Sequence, residues 1–203
     1  MDLPKEFINY VFHGRVKALR RLLEGGIGDD SWFLIEITRA TPVVITYGPA
    51  GLSGSVKMVG FIPRNEYLKE FTEKAVRYAY VERPKGMCEV IKLLLNEFYV
   101  LDKLDLNLLG GLEMGFKHSW VNIRATKKAT LLYYTPPNTS FEVRCDVKII
   151  EEGMIKDYLN AMHDLFHKPS EGKRSNYPAY IFKIKEMYNN SNSPMGFGRK
   201  IYG

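Results

Sequence analysis

The 203-residue sequence has only two cysteines, Cys88 and Cys145, with no CxxC pair and no His/Cys cluster at zinc-ligand spacing. A disulfide framework is therefore not expected, and both residues read as buried, reduced thiols of a reducing compartment. Also missing is any run approaching the roughly 20 apolar residues that span a bilayer. Lys, Glu or Asp interrupts even the most apolar segments every few positions. The segment Met1-Asp2-Leu3-Pro4-Lys5-Glu6 has no basic region leading into an apolar run, so no secretory signal is expected and a cytoplasmic location is. Charge of one sign does not dominate, because 29 basic and 23 acidic residues are interspersed to leave a net +6. Such a balance suits a phosphate-bearing ligand, a nucleic acid or simply a solvated surface.

What is present is enough apolar matter for a core, at 45% hydrophobic residues, in one domain spanning residues 1–203. Phe7, Ile8, Val11, Leu19, Leu22 and Leu23 share a helical face over residues 4–24, with Asp2 and Pro4 as start signals and Gly25-Gly26 as the stop. Residues 31–39, 42–48 and 52–62, rich in Val, Ile, Phe and Trp and punctuated by Gly and Pro, read as a three-stranded meander. Helical spacing returns after Pro63 (Tyr67, Leu68, Phe71, Ala75, Tyr78) and again at Met87, Val90, Ile91, Leu94, Leu95 and Phe98. Leu104, Leu106 and Leu108 then alternate with polar residues as in a strand.

From His118 onward the pattern reads as strands at 120–123, 129–135 and 140–150, the last two joined by a Pro136-Pro137-Asn138 turn. A helix with Ile155, Tyr158, Leu159, Met162 and Phe166 on one face follows Gly153, then a polar loop over 168–176 and a strand over 177–187. The Asn-, Ser- and Gly-rich tail from Tyr188 reads as irregular.

Several motifs bear on chemistry. His163-Asp164-Leu165-Phe166-His167 sets two imidazoles at i and i+4, but Asp replaces the Glu of a zinc-protease helix and neither His13 nor His118 supplies a third ligand from a helix motif. The expectation is no metal site, and a fold whose melting temperature ignores a chelator. Gly48 to Ser55 lacks both the Lys-Ser/Thr ending of a P-loop and the spacing of a dinucleotide fold, so it reads as a hairpin loop. No Gly-x-Ser-x-Gly elbow is present, and neither cysteine has a basic neighbourhood, which disfavours covalent hydrolysis. Thirteen tyrosines and eleven phenylalanines could stack nucleobases, yet most fall at core periodicities, so a nucleic-acid or protein-binding module stays the alternative. Lys117-His118-Ser119-Trp120-Val121-Asn122-Ile123-Arg124 gathers cations and hydrogen-bond donors at the start of an expected strand. The cluster suits a phosphate monoester and equally suits a charged edge strand.

Residues 103–187 carry a resemblance. Glu113 to Tyr134, in which a Ser with basic neighbours precedes an aliphatic strand, and Phe141 to Gly153, a charged strand ending in an acidic turn before a helix, resemble the FMN-binding split-barrel family that includes pyridoxamine 5'-phosphate oxidase. Cys145 stands where the family usually has Gly, Thr126-Lys127 where it has Asn-Pro, and the helices between 63 and 101 are additions to the simplest plan. The resemblance implies an α+β fold, an antiparallel split β-barrel with helices packed outside. It further implies an FMN cofactor in the cleft of a homodimer, and oxidoreductase chemistry on a small-molecule substrate that the sequence does not identify. Carried over by position, Lys117, His118, Ser119 and Arg124 would contact the FMN phosphate.

Overall fold

A computed structural model describes residues 3–25, 31–170 and 172–203, without the side chains of Ser31 and Phe33. The helical signal at the N-terminus is met by α1 (Lys5–Ile8), a π-helical turn (Asn9–His13) and α2 (Gly14–Gly25). Asp2 and Gly26, read as start and stop signals, lie outside the described residues. The remaining helices are α3 (Ser31–Glu36), α4 (Asn65–Tyr80), α5 (Met87–Leu93), α6 (His118–Thr126) and α7 (Met154–Phe166). The strands are β1 (Val43–Gly48), β2 (Gly51–Val56), β3 (Gly60–Pro63), β4 (Leu104–Leu112), β5 (Lys128–Thr135), β6 (Thr139–Ile150), β7 (Ala179–Asn189) and β8 (Arg199–Tyr202).

All strand pairings are antiparallel, in the order β2-β1-β5-β6-β7-β4-β3, with β8 added on β7. The two ends of this row, β2 and β3, are joined only by Lys57, Met58 and Val59. That connection reaches on the order of 15 Å when extended, whereas the outer strands of a flat seven-stranded sheet would lie roughly 29 Å apart. The sheet must therefore curl, and it forms the expected antiparallel barrel with a seam between β2 and β3. Beside the seam, an ideal Cβ on Gly111 of β4 would lie 3.0 Å from the Met58 carbonyl oxygen, so any larger residue would have to push the connecting backbone aside.

Burial follows the strand alternation in β5 and β6, whereas Ala179 to Phe182 of β7 are buried on both faces. Leu131 and Tyr133 of β5, Phe141, Val143, Cys145 and Val147 of β6, and Tyr180, Phe182 and Ile184 of β7 form one apolar core with Leu3, Phe7, Tyr10 and Val11 of the N-terminal helical segment. A second core lies outside the sheet, where α4, α5 and α7 pack through Phe71, Ala75, Val90, Leu94, Tyr158 and Leu165. The helices α4, α5 and α7 are thus packed outside the sheet, as the sequence led one to expect, whereas the N-terminal helical segment packs into the barrel core.

Five local expectations are corrected. Residues 31–39 are helical, not a strand: α3 continues into a 3-10 turn (Ile37–Ala40), and Arg39 pairs with Glu36 at 2.6 Å across one helical turn. The single strand expected over 52–62 is two, β2 and β3, because the chain must cross the seam between them. Residues 120–123 belong to α6. The tail contains β8, whose Ile201 and Tyr202 pack on the barrel core. Cys145 is buried and its thiol is pushed up in pKa by burial, but Cys88 is exposed at the start of α5.

Candidate functional site

A cavity of about 930 Å³ lies between the seam of the barrel and the helices outside it. Its wall takes Ser53 to Val56 from β2, Lys57 and Met58 from the seam, Gly110 and Gly111 from β4, and apolar residues of α2, α5 and α7. A volume of this size is in the range of clefts that hold small molecules and cofactors, roughly 300–1,000 Å³.

One part of the wall is polar. Ser55 and Ser119 share a hydrogen bond of 3.0 Å between their hydroxyls, which docks the start of α6 on β2. Lys117 and His118 stand beside them, exposed, and also line the cavity. Lys117 occupies the N-cap of α6, which has no capping side-chain hydrogen bond and no acid in its first turn. The first amides of such a helix have no intrahelical acceptor, and with the helix dipole they favour an anion.

Beneath this rim lies a buried ion pair. Glu113, 2% exposed, accepts a hydrogen bond from Lys57 Nζ at 2.8 Å. It also accepts from the Tyr180 hydroxyl at 2.8 Å and from the amides of Gly115 and Phe116 at 2.7 Å each. Burial opposes ionisation of this carboxyl, but the hydrogen bonds from Lys57 and Tyr180 outweigh it and hold the pKa below the ordinary value. The loop that delivers Lys117 is thus pinned by a carboxylate from the end of β4.

The orientation of α6 depends on Asn122, which is fully buried. Its side-chain oxygen accepts from the Ala50 amide at 2.8 Å, and its amide nitrogen donates to the Gly51 carbonyl at 2.7 Å and the Thr46 hydroxyl at 3.2 Å. The segment from Gly48 to Ser55 is therefore a β-hairpin, as read from the sequence, clamped from below by α6. Asn122→Ala leaves two backbone groups of the hairpin turn without their partners and is expected to lower stability by about 1–3 kcal/mol, read from urea denaturation. Hydrogen exchange should quicken first at Ala50.

No family model and no curated protein matches the sequence. Solved structures do. The chain is similar to HupZ of Group A Streptococcus at 11% identity over 77% of this chain and 90% of that one, with a TM-score of 0.45. An FMN-binding protein from Syntrophomonas wolfei matches at 10% identity, covering 91% of this chain and 92% of that one, TM-score 0.43. A pyridoxamine 5'-phosphate oxidase-related, FMN-binding protein from Nostoc punctiforme matches at 11% identity, covering 93% and 86%, TM-score 0.45. At this level the likeness says nothing about ligand or reaction.

Of the four residues singled out in the sequence, three come together at the cavity: Lys117, His118 and Ser119. Arg124 does not line it. Nearly two helical turns further along α6, its guanidinium lies 5.3 Å from the centre of the Trp120 ring on the exposed side of the helix. Five positions after Ser119, Arg124 lies roughly 140° round the helix from it and so faces away from the cavity. Sequence reasoning left Ser55 in a hairpin loop and Glu113 at the start of the resemblance, gave Lys57 no role, and so missed their convergence on the cavity. His163 and His167 line the same cavity.

Proposed function

We propose that the cavity is a flavin site, that it takes FMN, and that the chain is an oxidoreductase acting on a small molecule as a homodimer in the cytoplasm. The observation that carries this reading is the anion-favouring rim of a cofactor-sized cavity. The open amides at the start of α6, Lys117, His118 and the Ser119 hydroxyl form a cradle suited to a phosphate monoester. It is the same cluster that carries the sequence resemblance, with a physical basis now in a helix N-terminus in place of a strand.

In this reading the residues fit the cofactor by their chemistry. Lys117 supplies a mobile charge at the rim, Ser119 a hydroxyl fixed by Ser55, and the Lys57–Glu113 pair a rigid floor. Apolar side chains of α2, α5 and α7 keep water from the remainder of the cavity. A bound flavin supplies the electron transfer, so no side-chain nucleophile is required of the protein. Tyr47, Leu52 and Val56 are exposed on the β1–β2 hairpin, with Tyr47 directly opposite Leu52. An apolar edge strand of this kind favours cover by a second copy.

The test is direct. Purified protein should be yellow, or should take up FMN and show bands that bleach on reduction by dithionite. Lys117→Ala should weaken FMN binding by about 1–3 kcal/mol and Ser119→Ala by less, while Arg124→Ala should leave it near the parent value. A colourless protein that ignores FMN and binds polynucleotide with steep salt dependence would replace the flavin reading with the binding-module alternative.

A further inference from the structure

The pair His163 and His167, set aside on sequence grounds for want of a third ligand, acquires a different aspect in the fold. His163 sits in the last turn of α7 and His167 is its C-cap; the His167 amide bonds the His163 carbonyl at 2.9 Å, fixing the i, i+4 relation. Both imidazoles line the cavity. Their ring centres are 4.8 Å apart. A metal ion at the usual distance of about 2.0–2.1 Å from one nitrogen of each ring would hold the ring centres roughly 4.5–5 Å apart, so the spacing needs little adjustment.

The second observation concerns the tautomer. Asp164 is fully buried, yet it carries a carboxylate that accepts from the Tyr80 hydroxyl at 2.7 Å, from the Ser175 amide at 2.8 Å and from the Ser175 hydroxyl at 2.6 Å. His163 Nδ1 lies 3.0 Å from its Oδ1. An ionised carboxylate only accepts, so this contact, with the Ser175 hydroxyl 3.4 Å from the same nitrogen, favours the tautomer with the proton on Nδ1 and the lone pair on Nε2. This is the arrangement in which a carboxylate orients a metal-binding histidine. The C-terminal end of α7, with its partial negative charge, favours a cation at the same place.

We propose that His163 and His167 form a two-imidazole site for a nitrogen-preferring divalent transition metal, such as nickel or zinc, with its remaining coordination positions open to the cavity. Among the described residues no group of three or more His, Cys, Asp and Glu side chains is placed to hold a metal, so water or a ligand in the cavity completes the shell. Such a site is not structural, and the fold does not depend on it. The inference is independent of the flavin reading, since it invokes neither the rim of α6 nor any cofactor.

The experiment is a calorimetric titration of the full chain with NiCl₂ in a non-coordinating buffer without flavin, in a Cys88→Ser background that removes the exposed thiol. One equivalent should bind, and His167→Ala and His163→Ala should each lower affinity at least tenfold. His13→Ala, at an exposed histidine in the π-helical turn, should bind as the parent does. Because His167 is exposed, its variant should fold normally and decides the matter by itself. Unchanged binding in His167→Ala, an equal loss in His13→Ala, or no binding at millimolar metal would each overturn the proposal.

Discussion

Glu113→Ala is expected to lower the unfolding free energy by about 3–5 kcal/mol, the scale of breaking a buried ion pair, as measured by urea denaturation. The loss strands the Lys57 ammonium, the Tyr180 hydroxyl and the amides of Gly115 and Phe116, all of which donate to this one carboxylate. Lys57→Ala should cost less, because the carboxylate then keeps the other three donors. The double replacement Lys57→Met with Glu113→Leu should recover much of the loss, since it removes both charges together. The same group sets an acid limit. Its folded pKa lies below the ordinary 4.5, so its contribution is complete above pH 4.5 and is lost as pH falls below that value toward the folded pKa. Asp164 adds in the same direction: burial raises its pKa, but hydrogen bonds from Ser175, Tyr80 and His163 outweigh that and lower it. A Glu113→Gln variant should therefore show a weaker fall in stability with acid than the parent, although Asp164 keeps it from vanishing.

The second large effect is expected at Phe7. It is completely buried, with its ring edge-on to Tyr133 at 5.6 Å and to Phe141 at 5.5 Å. Phe7→Ala leaves a cavity inside the barrel and removes the wedge by which α1 fills it, at a cost of about 3–5 kcal/mol. Phe197→Ala, at a ring that is 74% exposed, should change stability by less than about 0.5 kcal/mol. If the two substitutions were to cost the same in chemical denaturation, the packing of α1 against β5 and β6 described above would be wrong.

Residues 31–40 and 118–126 show why local reading failed where it did. In Trp32-Phe33-Leu34-Ile35 the residue types favour a strand, but the segment is helical, and Leu34 is 70% exposed despite its hydrophobicity. Among the described side chains Leu34, Ile35 and Ile37 are all exposed, so apolar residue type did not report burial. In α6 the buried positions Ser119, Asn122 and Ile123 do recur at helical spacing. Two of the three are polar, so a search for apolar periodicity passes over them. Asn122 is buried because it replaces water for the hairpin turn, a partner some seventy residues earlier in the chain.

The sequence alone determined the elements whose own residues alternate or recur with an apolar face: β5, β6 and β7, α4 and α7, and the N-terminal helical segment. There, apart from the doubly buried start of β7, side-chain burial follows from position in the local period. Tertiary structure decided what depends on distant partners. The short connection from Lys57 to Val59 forces closure of the sheet, the continued β3–β4 register sets Lys57 beside Glu113, and docking of α6 on β1 and β2 brings Ser119 to Ser55. The same folding carries Ser175 and Tyr80 to Asp164. Hydrogen bonds and ion pairs act over a few ångströms whatever the separation along the chain, so the cavity rim and the ordered histidine emerge only when the barrel is closed and its helices are packed.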